Sequence, residues 1–82
     1  MVTVVYSTRF ERCVRKIQDT LQKECIKAQI VRIVQDPETG KPMRWGRKNT
    51  REVYVPPYRL SYCYDKKYDT LVFLAFYHND EQ

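Results

Sequence analysis

Hydrophobic and polar positions change their period along this chain, and each change marks an element. Val2 to Tyr6 is short, β-branched and apolar, and predicts a strand. Phe10, Cys13, Val14 and Ile17 then recur at the i, i+3, i+4, i+7 spacing of one helix face, with Arg9, Arg12, Arg15 and Lys16 around the rest. Ser7-Thr8 offers the start of that helix. Thr8 and Glu11 have the spacing of a capping box, in which each side chain satisfies a backbone amide of the first turn. Asp19-Thr20 ends the first helix and caps a second, from about Leu21 to Val34. Ile26, Ile30, Ile33 and Val34 form one apolar stripe of that helix, and Leu21, Cys25 and Ala28 form another. A helix apolar on two sides packs against two neighbours, here the sheet and the first helix, so the pair is predicted to be an antiparallel helical hairpin.

The segment from Asp36 to Pro42 is turn chemistry and stops the second helix. Beyond it the period becomes two. Val53 and Val55 alternate with Glu52 and Tyr54, and Pro56-Pro57 makes a corner because neither residue can donate to a ladder. Leu60, Tyr62 and Tyr64 then alternate with Arg59, Ser61 and Cys63. Residues 65–69 read as a hairpin turn. Thr70 to Tyr77 is apolar on both parities and predicts a central strand covered on both faces. The order β-α-α-β-β-β predicts a single α+β domain over residues 1–82, its helical hairpin packed on one face of a mostly antiparallel, twisted sheet. Twist makes the other face concave. With Leu60 and Tyr62 toward the helices, alternation sends Arg59 to the concave side.

Composition narrows the class. Eighty-two residues allow one compact domain with a core of marginal size, so a bound partner can add much of the working stability. At 43% apolar and 30% charged, the chain is not a disordered tail. It contains no run of eighteen apolar residues, and its start lacks both a basic region and a long apolar stretch, so neither a membrane span nor a signal peptide is expected. Cys13, Cys25 and Cys63 are odd in number and lack CxxC spacing, which suits reduced thiols in a cytoplasmic protein. One histidine and three scattered cysteines provide no zinc-ligand spacing, and no paired-carboxylate motif suggests magnesium. Two glycines, Gly40 and Gly46, make no phosphate-binding loop. The expectation is therefore no metal, no cofactor and no small-molecule substrate.

Charge is unevenly spread. Between Lys41 and Arg59 stand six basic residues, Lys41, Arg44, Arg47, Lys48, Arg51 and Arg59, against the single acid Glu52. Most of the formal net charge of +5 therefore resides in one stretch, as expected for a surface that meets phosphate. Trp45 and Tyr54 add stacking surface, so Lys41, Arg44, Trp45, Arg47, Lys48, Arg51 and Tyr54 are the candidate RNA-binding residues. A basic concave face with one histidine, one acid, tyrosines and arginines fits metal-independent RNA cleavage. That reaction needs a base for the ribose 2′-hydroxyl, a cation for charge developing at phosphorus, and an acid for the leaving 5′-oxygen. His78 or Glu52 supplies the base, Arg59 the cation, and His78 or Tyr77 the acid.

The stretch Arg51-Glu52-Val53-Tyr54-Val55-Pro56-Pro57-Tyr58-Arg59-Leu60-Ser61-Tyr62, followed by Asp69 to His78, resembles the second half of the RelE/ParE superfamily of toxins, and the element order resembles it over the whole chain. The resemblance implies an mRNA interferase of the RelE/YoeB type. Such a toxin of a type II toxin–antitoxin system is a ribosome-dependent, metal-independent endoribonuclease that cleaves mRNA in the A site. It implies an arginine at the scissile phosphate in Arg59, a Tyr-His ending like that of the YoeB-like branch in Tyr77-His78, and contact of Lys41, Arg44, Arg47, Lys48 and Arg51 with ribosomal RNA and transcript. It also implies a cognate antitoxin as partner. Two alternatives share the fold. One is a ParE-like poison of DNA gyrase, a branch that usually lacks the strand-end histidine. The other is a catalytically degenerate RNA-binding module, since Phe76 stands where many members keep a second basic residue and no closing tyrosine follows His78.

Overall fold

Stiff β-branched residues near the start, helix-spaced apolar residues after them and alternating ones at the end each take the conformation their spacing favours. A computed structural model describes residues 2–42 and 49–78. It contains β1 (Thr3–Tyr6), α1 (Thr8–Arg15), α2 (Thr20–Gln35), β2 (Lys41–Pro42), β3 (Thr50–Val55), β4 (Tyr58–Asp65) and β5 (Thr70–His78). The five strands form one sheet in the order β1-β5-β4-β3-β2. β1 runs parallel to β5, which the intervening helices permit, and the other pairings are antiparallel. The predicted α+β fold with a helical pair against a mostly antiparallel sheet is the fold observed. β2 is an addition: the predicted turn ends in a two-residue edge strand, Lys41 across from Glu52 and Pro42 across from Arg51.

One face of the sheet meets the helices. Phe10 and Ile17 from the α1 region and Ile26 and Ile33 from α2 join Val55, Leu60, Tyr62, Leu71, Phe73 and Phe76 in one core. Tyr6, Phe10 and Phe73 stack in series, with ring centroids 5.3–5.9 Å apart, an arrangement that adds to the burial of apolar area. Among the described residues no helix is long and apolar enough to cross a membrane.

Three expectations need correction. The N-cap of α1 is Ser7, not Thr8: the Ser7 hydroxyl accepts from the Phe10 amide at 3.0 Å. Ser7 is the residue with extended backbone at the helix entrance, and Glu11 instead faces Arg15 one turn on. The second apolar stripe of α2 is not covered. Leu21 is 77% exposed, and Cys25 and Ala28 are exposed too, because at 100° per residue that stripe is turned away from Ile26 and Ile33 and the helices form a single layer. Nor, among the described residues, is β5 covered by elements on both faces. Its two apolar parities arise because the strand changes parity partway along.

Candidate functional site

The parity change has a definite position. Ser61 pairs with Ala75 and Tyr62 with Phe73, so Leu74 is one residue more than β4 can match. This is a β-bulge, and every side chain beyond it points opposite to where strict alternation would send it. Leu71 and Phe73 face the helices before the bulge; Phe76, 2% exposed, faces them after it. Tyr77 therefore turns to the open face, directly across from Arg59, and His78 turns to the helix side, across from Tyr58.

On the open face, Tyr54, Arg59 and Tyr77 form a row across β3, β4 and β5, with Glu52 two residues before Tyr54 on the same side of β3. Arg59 Nη1 donates to Glu52 Oε1 at 2.7 Å, and the Tyr77 hydroxyl donates to Glu52 Oε2 at 3.2 Å. One carboxylate thus takes a different donor at each oxygen. The Arg59 guanidinium carbon sits 5.5 Å from the centre of the Tyr54 ring, in cation–π range. The Arg59 and Glu52 side chains are 31% and 24% exposed, so the pair is partly open to water and not sealed in the core. Tyr54 is 53% exposed and offers its other surface to a stacking partner. Small residues, Thr50, Ser61 and Ala75, are buried beside these larger ones.

Of the four predicted catalytic residues, the fold brings Glu52, Arg59 and Tyr77 together and sends His78 away from them. The His78 ring lies edge-on to Tyr58 at 5.5 Å, and Tyr58 stacks on Phe76 at 4.8 Å. The predicted RNA-binding residues also divide. Tyr54 lies in the row described, and Lys41 is exposed on the edge strand β2. Arg51 is on the helix side, where its Nη1 donates to the carbonyls of Gly40 at 2.7 Å and Glu38 at 3.1 Å. Arg44, Trp45, Arg47 and Lys48 lie outside the described residues.

Arg51 belongs to an anchor that sequence reasoning missed. The Tyr62 hydroxyl accepts from the Gly40 amide at 2.9 Å and donates to the Pro37 carbonyl at 2.8 Å. A Cβ on Gly40 would meet the Tyr62 oxygen at 2.7 Å, so only glycine allows this approach. Burial pushes the Tyr62 phenol above its usual range. Lys66 holds Glu38 at 2.6 Å and lowers its carboxyl by hydrogen bond and charge. The Tyr64 phenol is raised chiefly by its hydrogen bond to Asp69. Tyr62 and Arg51 thus tie the chain leading into the basic stretch to β3 and β4. The one sequence signal for the anchor was Gly40 standing within the turn chemistry. A cleft of about 100 Å³ beside it, lined by Glu38, Pro42, Asn49, Arg51, Tyr64 and Lys66, shares no residue with the Arg59 cluster.

Comparison with known proteins bears on what this arrangement does. A family model, the ParE toxin of the type II toxin–antitoxin system parDE, matches residues 4–82. None of the curated proteins compared with the chain matches it. Among solved structures, the chain is similar to one in the intact RelBE toxin–antitoxin complex of E. coli, at 16% identity and a TM-score of 0.80 over 95% of this chain and 96% of that one. A chain of the toxin–antitoxin complex RelBE2 from Mycobacterium tuberculosis is 28% identical, with a TM-score of 0.70 over 94% and 96%. A YoeB/ParE toxin from Agrobacterium tumefaciens is 13% identical, with a TM-score of 0.80 over 94% and 98%. The matches below 25% identity speak for the fold alone.

Proposed function

Because the chain belongs to the ParE toxin family of type II toxin–antitoxin systems, we propose that this toxin is a ribosome-dependent endoribonuclease that cleaves mRNA in the A site and is silenced by a cognate antitoxin. The observation that carries the reading is the hydrogen-bonded set of Arg59, Glu52 and Tyr77 beside the exposed ring of Tyr54. The antitoxin is supported by relatives solved as toxin–antitoxin complexes, RelBE and RelBE2.

The three groups supply what 2′-hydroxyl attack requires. Glu52 takes the proton of the ribose 2′-hydroxyl, and the 2′-oxygen forms its bond to phosphorus. The Arg59 guanidinium faces the charge that develops on the non-bridging oxygens. The Tyr77 hydroxyl donates its proton to the 5′-oxygen as the P–O5′ bond breaks. The products are a 2′,3′-cyclic phosphate and a 5′-hydroxyl. The proton gained by Glu52 then returns to the Tyr77 phenolate along the bond that already joins them. Tyr54 is suited to stack on a base, and Lys41, with Arg44, Trp45, Arg47 and Lys48, to meet RNA. Arg51 serves this surface through its hold on Glu38 and Gly40.

Induction in cells, with new 5′ ends mapped on a translated message, tests the reading. Cuts in codon register that require translation and vanish in Arg59→Ala and Glu52→Gln are expected. Intact messages with salt-sensitive RNA binding on translating ribosomes would leave an RNA-binding module instead. A second reading, a gyrase poison, is favoured by the ParE family match and by the turn of His78 to the helix side. Trapped DNA cleavage complexes with messages intact would be its signature.

A further inference from the structure

Leu74 is the residue that β4 cannot match, and a bulge leaves its own backbone groups to find partners elsewhere. The partner of its carbonyl is on a distant element. The Ser7 hydroxyl donates to the Leu74 carbonyl at 2.7 Å, across 67 residues of sequence. Ser7 Oγ also accepts from the Phe10 amide at 3.0 Å, and the Ser7 amide donates to the Phe73 carbonyl at 3.0 Å. One residue therefore follows β1, caps α1 and holds the carbonyls of the bulged Leu74 and of Phe73 just before it.

A regular ladder is the competing arrangement. Continued without a bulge from Tyr62↔Phe73, it would pair Phe76 with Arg59 and Tyr77 with Tyr58. Tyr77 would then face the helices, and Phe76 and His78 would face outward. The bulged register instead buries Phe76 and sets Tyr77 opposite Arg59. We infer that Ser7 is a positioning residue: its hydroxyl locks the Leu74 bulge and thereby keeps Tyr77, rather than Phe76, beside Arg59 and Glu52. In its effect on cleavage this rests on the reading proposed above; in its effect on strand register it does not.

Capping and bulge-holding use different halves of the hydroxyl, which makes them separable. Threonine keeps acceptor and donor. Glycine is a good N-cap but has no donor, and aspartate accepts from a helix amide but has no proton to give the carbonyl at neutral pH. Cross-strand NMR contacts of the full-length protein read the register directly, beside thermal unfolding and cleavage of a ribosome-bound message. Ser7→Thr is expected to keep Arg59–Tyr77 contacts and cleavage. Ser7→Gly is expected to remain folded, exchange them for Arg59–Phe76 contacts, and cleave about tenfold or more slowly, as displaced catalytic groups do. Ser7→Asp takes its place if the glycine variant does not fold. Wild-type contacts between Arg59 and Tyr77 in a folded Ser7→Gly or Ser7→Asp protein would overturn the inference. A wild-type protein that never cleaves RNA would remove the cleavage reading, and the NMR contacts would still decide the role of Ser7.

Discussion

The two faces of the sheet use the same strands for opposite purposes. Toward the helices, Leu60, Tyr62, Leu71 and Phe73 are fully buried. The one hydroxyl among them, on Tyr62, has both a donor and an acceptor. On the other face, Glu52, Arg59 and Tyr77 remain partly open to water and hold one another. The difference teaches where each kind of group is tolerated. A buried polar group must be fully satisfied or it costs about 1–3 kcal/mol, whereas a partly hydrated ion pair costs little and adds little. The internal bonds of the open face can therefore be exchanged for others without weakening the fold.

Substitutions break or sharpen that contrast. The largest effect is expected on the helix side: Phe73→Ala removes a ring in contact with Tyr6, Phe10 and Tyr62 and should lower stability by about 3–5 kcal/mol in urea unfolding. On the open face, Arg59→Ala should lower mRNA cleavage about 10²-fold or more while moving the urea midpoint little. A comparable loss of stability would show the two faces to be one structural unit. Tyr77→Phe should fall nearly as far in cleavage, and His78→Ala by about tenfold or less, since His78 lies across the sheet. The reverse ranking would assign the proposed chemistry to His78 and not to Tyr77.

Smaller effects test the anchor. Tyr62→Phe deletes the partner of Gly40 and Pro37 and should cost about 1–3 kcal/mol in chemical denaturation. Its phenol is raised from 10.0 by burial, so the neutral form is the one the fold favours. That contribution is complete below pH about 10, the unfolded value, and is lost as pH rises through the higher folded value. Stability should fall above pH about 10 more steeply in the wild type than in Tyr62→Phe. Last, Lys66→Ala removes an exposed pair with Glu38 and should leave the urea midpoint almost unmoved, because water screens such a pair.

Much of the fold was legible because local spacing carries it. Ile26, Ile30, Ile33 and Val34 mark the buried side of α2, Asp19 caps it, and Arg59 faces away from Leu60 and Tyr62, all as spacing predicts. What misled was information held between elements. Leu21, Cys25 and Ala28 read as a second packing face, but whether a stripe is covered depends on how many layers the chain builds. Arg51 read as an RNA contact, since a guanidinium can donate to carbonyls as well as to phosphates and only its neighbours decide which.

The sequence by itself determined the type of every element but the short strand β2, the order of the strand-forming segments and the side of β4 that carries Arg59, because periods of 3.6 and 2 are properties of the backbone. Tertiary structure decided which of Tyr77 and His78 joins Arg59. That choice turns on one unmatched residue, Leu74, whose carbonyl is met by Ser7 from the far end of the chain, and alternation within β5 alone contains no record of a partner sixty-seven residues away.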